Sequence, residues 1–110
     1  MAADRMRKVN ELLLQNVSEV FSRELDLPEG VFVTVTSVDT SRDLKHAVVY
    51  LTVLPDGKRG SALEYIQRHA GEVQKMLGSR VQLKFTPRLR FELDQGAIKA
   101  QGVFDVMDVG

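Results

Sequence analysis

The chain contains no cysteine and no tryptophan, and only 3 of its 110 residues are proline. The missing cysteines exclude disulfide scaffolds, zinc ribbons, thiol nucleophiles and iron–sulfur sites together. Aromatic residues make up 6% of the sequence, too few for the rows of stacking platforms on which many single-strand binders seat successive bases. Neither sign of charge is in excess: 15 Lys and Arg balance 15 Asp and Glu. The bulk basicity of many nucleic-acid-binding domains is therefore absent, and any case for RNA rests on how the charge is distributed. No apolar run approaches the ~18 residues of a membrane span. The charged start, Met1 to Arg7, leads straight into a helical pattern and does not read as a secretory signal. The expected location is the cytoplasm. What remains, with 44% hydrophobic and 27% charged positions, is the composition of one folded domain with a core of its own.

Hydrophobic periodicity gives the order of elements. Residues 4–25 read as one amphipathic helix, with Met6, Val9, Leu13, Val17 and Val20 on one face. Asp4 is the expected N-cap, and Pro28 with Gly30 closes the segment. Residues 31–38 alternate Val with Thr as a half-buried strand does. Residues 46–54 form a second strand, apolar on both faces and hence central in its sheet, antiparallel to the first. Pro55 to Gly60 reads as a turn-rich loop. Ser61 with Glu64 resembles a capping box that opens a helix. His69-Ala70-Gly71 interrupts that helix, which predicts two short helices meeting at a kink, with Gly78 as the C-cap. A third strand is expected to start at Val81, break at Pro87, and resume through Leu89, Phe91 and Leu93. The expected organisation is a folded domain over 4–94 followed by a tail over 95–110.

The residues of catalysis are thin on the ground. There is no Walker loop, dinucleotide fingerprint, HExxH or EF-hand pattern. Asp43 and His46, three apart at a loop–strand junction, form either a surface turn pair or the acid–base pair of a small enzyme. Basic residues, by contrast, cluster. Arg5, Arg7 and Lys8 open the first helix, where the helix dipole disfavours cations. Lys58 and Arg59 precede the second helix, Arg68, His69 and Lys75 lie along the kinked pair, and Arg80, Lys84, Arg88 and Arg90 follow. Acids gather elsewhere, at Glu19, Glu24, Asp26 and Glu29. The segregation predicts either one positive face that tracks phosphates or a solvated mixed-charge surface. Gly57-Lys58-Arg59-Gly60 is a literal G-x-x-G, the string with which KH domains clamp a nucleic-acid backbone. Its place between a strand and a helix fits an ordinary basic turn as well.

Three strings, Arg5 to Val9, Val35 to Tyr50 and Pro87 to Asp94, combine with the element order to give a likeness over nearly the whole chain. Within them, Ser-x-Asp-Leu-x-x-Ala (Ser41 to Ala47) and Pro-x-Leu-x-Phe-x-x-Asp (Pro87 to Asp94) are fairly specific together. The chain resembles the bacterial ribosome-binding factor A family. The resemblance implies an α+β, type II KH-like fold of order α-β-β-α(kink)α-β, a three-stranded sheet with helices on one face. It implies a helix–kink–helix built on Ala-x-Gly in place of the G-x-x-G loop, with Gly71 as the glycine and His69 where the family has alanine. It implies a cytoplasmic assembly factor that binds the 30S subunit and its 16S rRNA in late maturation, with no catalysis and no cofactor. On this reading Arg5, Arg7, Lys8, Lys58, Arg59, Arg68, His69, Lys75, Arg80 and Lys84 hold phosphates while the fold reads RNA shape. The competing reading is a protein–protein adaptor whose charges serve only solubility.

Overall fold

The first helix, α1 (Ala2–Glu19), runs into a single π-helical turn over Val20–Glu24. The structure, a computed structural model, describes residues 2–83 and 85–99. Leu13, Val17 and Val20 are fully buried and Val9 packs beside them, so the stripe read from the sequence is the core face. Leu12 falls off the stripe and is exposed. Asp4 is not the N-cap: the helix starts two residues earlier, and Asp4 sits in its first turn, 4.0 Å from Arg7. The helix ends where Leu25 turns extended, and Gly30, at φ 80°, supplies the left-handed residue that starts the sheet.

Strand β1 (Phe32–Thr40) pairs antiparallel with β2 (His46–Leu54), and β2 pairs parallel with β3 (Arg88–Leu93), giving the order β1-β2-β3. The central place expected of the second strand is the one it holds. Ala47, Val49, Leu51 and Val53 face the helices and are buried, and their neighbours Val48, Tyr50 and Thr52 are half-buried on the other face. Thr36 is the extra residue of a bulge in β1, between Val35 and Ser37. Its hydroxyl donates to Asp94 Oδ2 at 2.7 Å, which ties the end of β3 across the sheet to β1. Asp94 Oδ1 in turn accepts the Ala97 N–H at 3.1 Å, capping a helical turn over 95–99.

A short 3-10 turn (Asp56–Lys58) leads into α2 (Arg59–Arg68), which is followed by α3 (Ala70–Arg80). His69 alone separates the two helices, so the kink falls where the sequence breaks. The expected caps differ. Ser61 lies inside α2, where its hydroxyl donates back to the Lys58 carbonyl instead of capping an N–H. Gly78 lies inside α3, and Val81 ends it. The third strand is shorter than expected, because residues 81–83 and 85–87 pair with no strand. β3 starts at Arg88 opposite His46, so anything upstream would face the β1–β2 turn, which offers no ladder.

The core lies between the sheet and the helices. Phe21 of the π-helical turn meets Phe91 of β3 edge to face, with ring centres 5.9 Å apart. Ile66, Val73 and Leu77 of the kinked pair are fully buried against the same cluster. Each such side chain contributes about 1.5–3 kcal/mol on leaving water. The helices also cover the free edge of β3. The Gln74 side chain donates to Pro87 O at 2.6 Å and accepts from Leu89 N at 2.9 Å, as a neighbouring strand would. An edge held in this way is a poor template for another chain.

Candidate nucleic-acid interface

The turn between β1 and β2 is built by its own side chains. Asp43 Oδ1 accepts the Ser41 hydroxyl at 2.6 Å and the Lys45 N–H at 3.0 Å, and Ser41 Oγ accepts the His46 N–H at 3.0 Å. These bonds hold Leu44 at φ 62°, a left-handed conformation uncommon for a branched side chain. They also hold the Asp43 carboxyl below the usual carboxylate range, the Ser41 bond first and the Lys45 N–H second. Asp43 is thus the staple of a turn, bonded through Oδ1 to Ser41 and to the Lys45 N–H. The Ser41–Ala47 string becomes intelligible: serine and aspartate form the turn, and Ala47 sits beneath the helices, 1% exposed.

The turn places cations at one end of the sheet. Arg5 of α1 and Lys45 line one groove, and Asn10, further along the same helix, accepts the Thr40 N–H at 3.0 Å and fixes α1 against the end of β1. Lys45 O accepts the Arg88 N–H at 2.8 Å, and His46 stands in register with Arg88. On the face away from the helices, His46, Val48, Arg88 and Arg90 border a depression of about 380 Å³. Arg90 is paired with Glu92 at 2.9 Å on that exposed face. Arg7 and Lys8 are exposed on the first turns of α1.

The remaining predicted contacts divide. Arg68 and Lys75 are exposed on the kinked pair, Arg68 within 3.8 Å of Glu64. Exposed pairs of this kind contribute little and yield readily to a phosphate. His69 is folded back on α2: its ring stacks on Tyr65 with centres 4.1 Å apart, and its Nδ1 donates to Tyr65 O at 2.8 Å. Tyr65 in turn donates its hydroxyl to the Asp26 carbonyl. The histidine that replaces the expected alanine therefore braces the kink against the segment after α1.

Lys58 and Arg59 do not join Arg5. They follow the far end of β2, whose 9 residues separate the two groups by roughly 25–30 Å. Arg59 is drawn to Asp56 at 3.0 Å. The Arg80 guanidinium lies between two carboxylates, Glu19 at 2.7 Å and Glu24 at 2.9 Å, and pins the end of α3 to the end of α1. Lys84 lies outside the described residues. Sequence reasoning passed over Lys45, His46, Arg88 and Arg90 as contacts, although the alternation Arg88-Leu89-Arg90-Phe91 already set the two arginines on one face.

A mixed sheet with a kinked helix pair along its third strand, cations at one end and no G-x-x-G at the kink, defines the α+β KH-like class of type II. The family model described as ribosome-binding factor A matches residues 5–107. Ribosome-binding factor A of Halothermothrix orenii is 36% identical over 86% of this chain and 78% of its own length. The crystal structure of ribosome-binding factor A from Thermus thermophilus shares the fold, with a TM-score of 0.70 and 23% identity, over 80% of this chain and 94% of that one. A homology model of the Thermus thermophilus factor, fitted into a cryo-EM map of a 30S complex, has a TM-score of 0.64 at 24% identity and covers 78% of this chain and 91% of its own. This chain belongs to the ribosome-binding factor A family.

Proposed function

We propose that this protein is a non-catalytic assembly factor of the cytoplasm that binds the 30S subunit and its 16S rRNA during late maturation and acts as a monomer in isolation. Membership of the ribosome-binding factor A family over residues 5–107 carries the proposal, and a relative of the same fold has been fitted into a 30S complex. The cationic end of the sheet supplies the chemistry. Arg5, Arg7 and Lys8 with Lys45, His46 and Arg88 hold one run of phosphates, and Arg68, His69 and Lys75 on the kinked pair approach a second. Lys58 and Arg59 offer an outlying contact. Arg80 serves the fold through its two carboxylates and drops out of the contact set. Residues 4–94 form the binding domain and 95–110 its tail.

RNA recognised by shape and backbone needs few aromatic platforms, in keeping with 6% aromatics. Neutralising four or five phosphates gives a salt slope of roughly −3 to −5. Co-sedimentation of the intact protein with 30S subunits, 50S subunits and free 16S RNA across a salt series tests the proposal. The expected result is preference for 30S with that slope. Equal pelleting with 30S and 50S, or indifference to salt, would refute it.

A further inference from the structure

A groove of about 650 Å³ opens where the first turns of α1, the β1–β2 turn and the connector from α3 to β3 meet. Its size falls within the ~300–1,000 Å³ of small-molecule sites, and it exceeds the 380 Å³ depression beside β3. Val9, Leu44, Leu83, Phe85 and Pro87 give it apolar walls. Phe85 is 74% exposed, the most exposed of the chain's large hydrophobic residues among those described. Arg5 and Lys45 bring two cations to the same groove. The carboxylate there, Asp43, is engaged through Oδ1 with Ser41 and with the Lys45 N–H. Leu44 is held among these walls in its left-handed conformation by the bonds of the turn, so this wall is fixed before any ligand arrives.

A purely apolar groove would suit a leucine or a phenylalanine of a protein partner. One with two cations beside it suits a flat apolar ring tied on either side to an anion, the chemistry of a nucleotide within a strand. We infer that this groove seats one unstacked nucleobase of a single-stranded RNA segment against Phe85 and Leu44, with Arg5 and Lys45 on the flanking phosphates. The inference rests on the RNA-binding reading above and narrows it. The site lies at the start of α1 and of β3, apart from the kink at His69, and it selects unpaired RNA over duplex.

The test uses the whole chain at one fixed salt concentration. Three labelled probes are titrated by fluorescence anisotropy: a seven-nucleotide single-stranded RNA, an abasic strand of the same length, and a seven-base-pair RNA duplex. Methyl NMR follows Leu44 and Leu83 in the same titrations. Stacking of one base on an aromatic ring corresponds to roughly five- to a hundredfold in affinity. The single strand is therefore expected to bind at least fivefold more tightly than its abasic form, to shift both leucines, and to lose about tenfold in Phe85→Ala. Phe32→Ala, which removes the other strongly exposed phenylalanine, leaves it unchanged, and the duplex does not distinguish Phe85→Ala from the parent. Circular dichroism confirms that both variants fold. Equal affinity for the single strand and its abasic form overturns the base site but leaves the wider reading standing. So do leucine shifts that follow protein concentration instead of RNA, which would mark a second copy in the groove. Loss of all RNA and 30S binding by the parent protein overturns both.

Discussion

Asp94 takes a bond from the Thr36 hydroxyl on one oxygen and from the Ala97 N–H on the other, joining three segments through one carboxylate. The Thr36 bond, followed by the Ala97 N–H, holds its carboxyl below the ordinary value of 3.8. A depressed folded value means that the unfolded chain takes up the proton first as acid is added. The stability contributed by Asp94 is therefore complete above about pH 4 and is lost as pH falls through the lowered folded value. Asp43 is lowered in the same direction by Ser41 and Lys45 and adds to the same window. Thermal melts of the parent and Asp94→Ala between pH 2 and pH 7 should show the variant less stable at neutral pH, with the gap closing below pH 4. A gap that stays constant through that range would mean that the charge of Asp94 contributes nothing. The aspartate of the Pro87–Asp94 string is thus a structural residue, and its role was not visible in a linear reading because Thr36 lies 58 positions away.

The kinked pair holds a glycine at a position where its own packing does not require one. Gly71 stands at the start of α3, without a positive φ, and a Cβ built on it meets nothing within 4 Å. Nothing in the fold demands glycine there, and a helical glycine costs about 0.5–1 kcal/mol relative to alanine. A glycine that the packing does not need, beside exposed Arg68 and Lys75, fits close approach of an RNA backbone to the kink. Gly71→Ala is expected to raise stability by about 0.5–1 kcal/mol in denaturant melts while weakening 30S binding about tenfold. A stabilised variant with unchanged 30S binding would remove the kink from the interface.

For the molecule as a whole, neutrality of the chain hides a division of labour among its cations. Arg80 is consumed by Glu19 and Glu24 to hold α3 to α1, and Arg59 leans on Asp56. Arg5 and Lys45 line one groove, and His46 and Arg88 border a depression on the other face, both at the end of the sheet where β2 and β3 begin. Binding should follow this division. Reversing Lys45 and Arg88 together (Lys45→Glu, Arg88→Glu) should flatten the salt slope by about two and cost more affinity for 16S RNA than reversing Lys58 and Arg59. Equal losses from the two double variants, measured by filter binding across a salt series, would show that the far end of β2 is as much a part of the surface as the near end.

Period and punctuation in the sequence determined the elements themselves. The Met6–Val20 stripe made α1, the Val and Thr alternation made β1, two apolar faces made β2 the central strand, and His69-Ala70-Gly71 broke the second helix. Local patterns suffice there because burial of one face repeats at 3.6 or 2 residues. The strand expected from Val81 is absent over residues 81–83 and at Phe85 for a reason no local pattern holds: a strand exists only where a neighbour offers a ladder, and the register His46 to Arg88 leaves none upstream. The caps at Asp4, Ser61 and Gly78 moved as well: each lies inside its helix, which runs two residues past the local signal. Charge was the least legible property. Lysines and arginines cluster in the linear order, but which of them meet carboxylates and which meet one another is settled only when α1, the β1–β2 turn and the start of β3 close on one another in space.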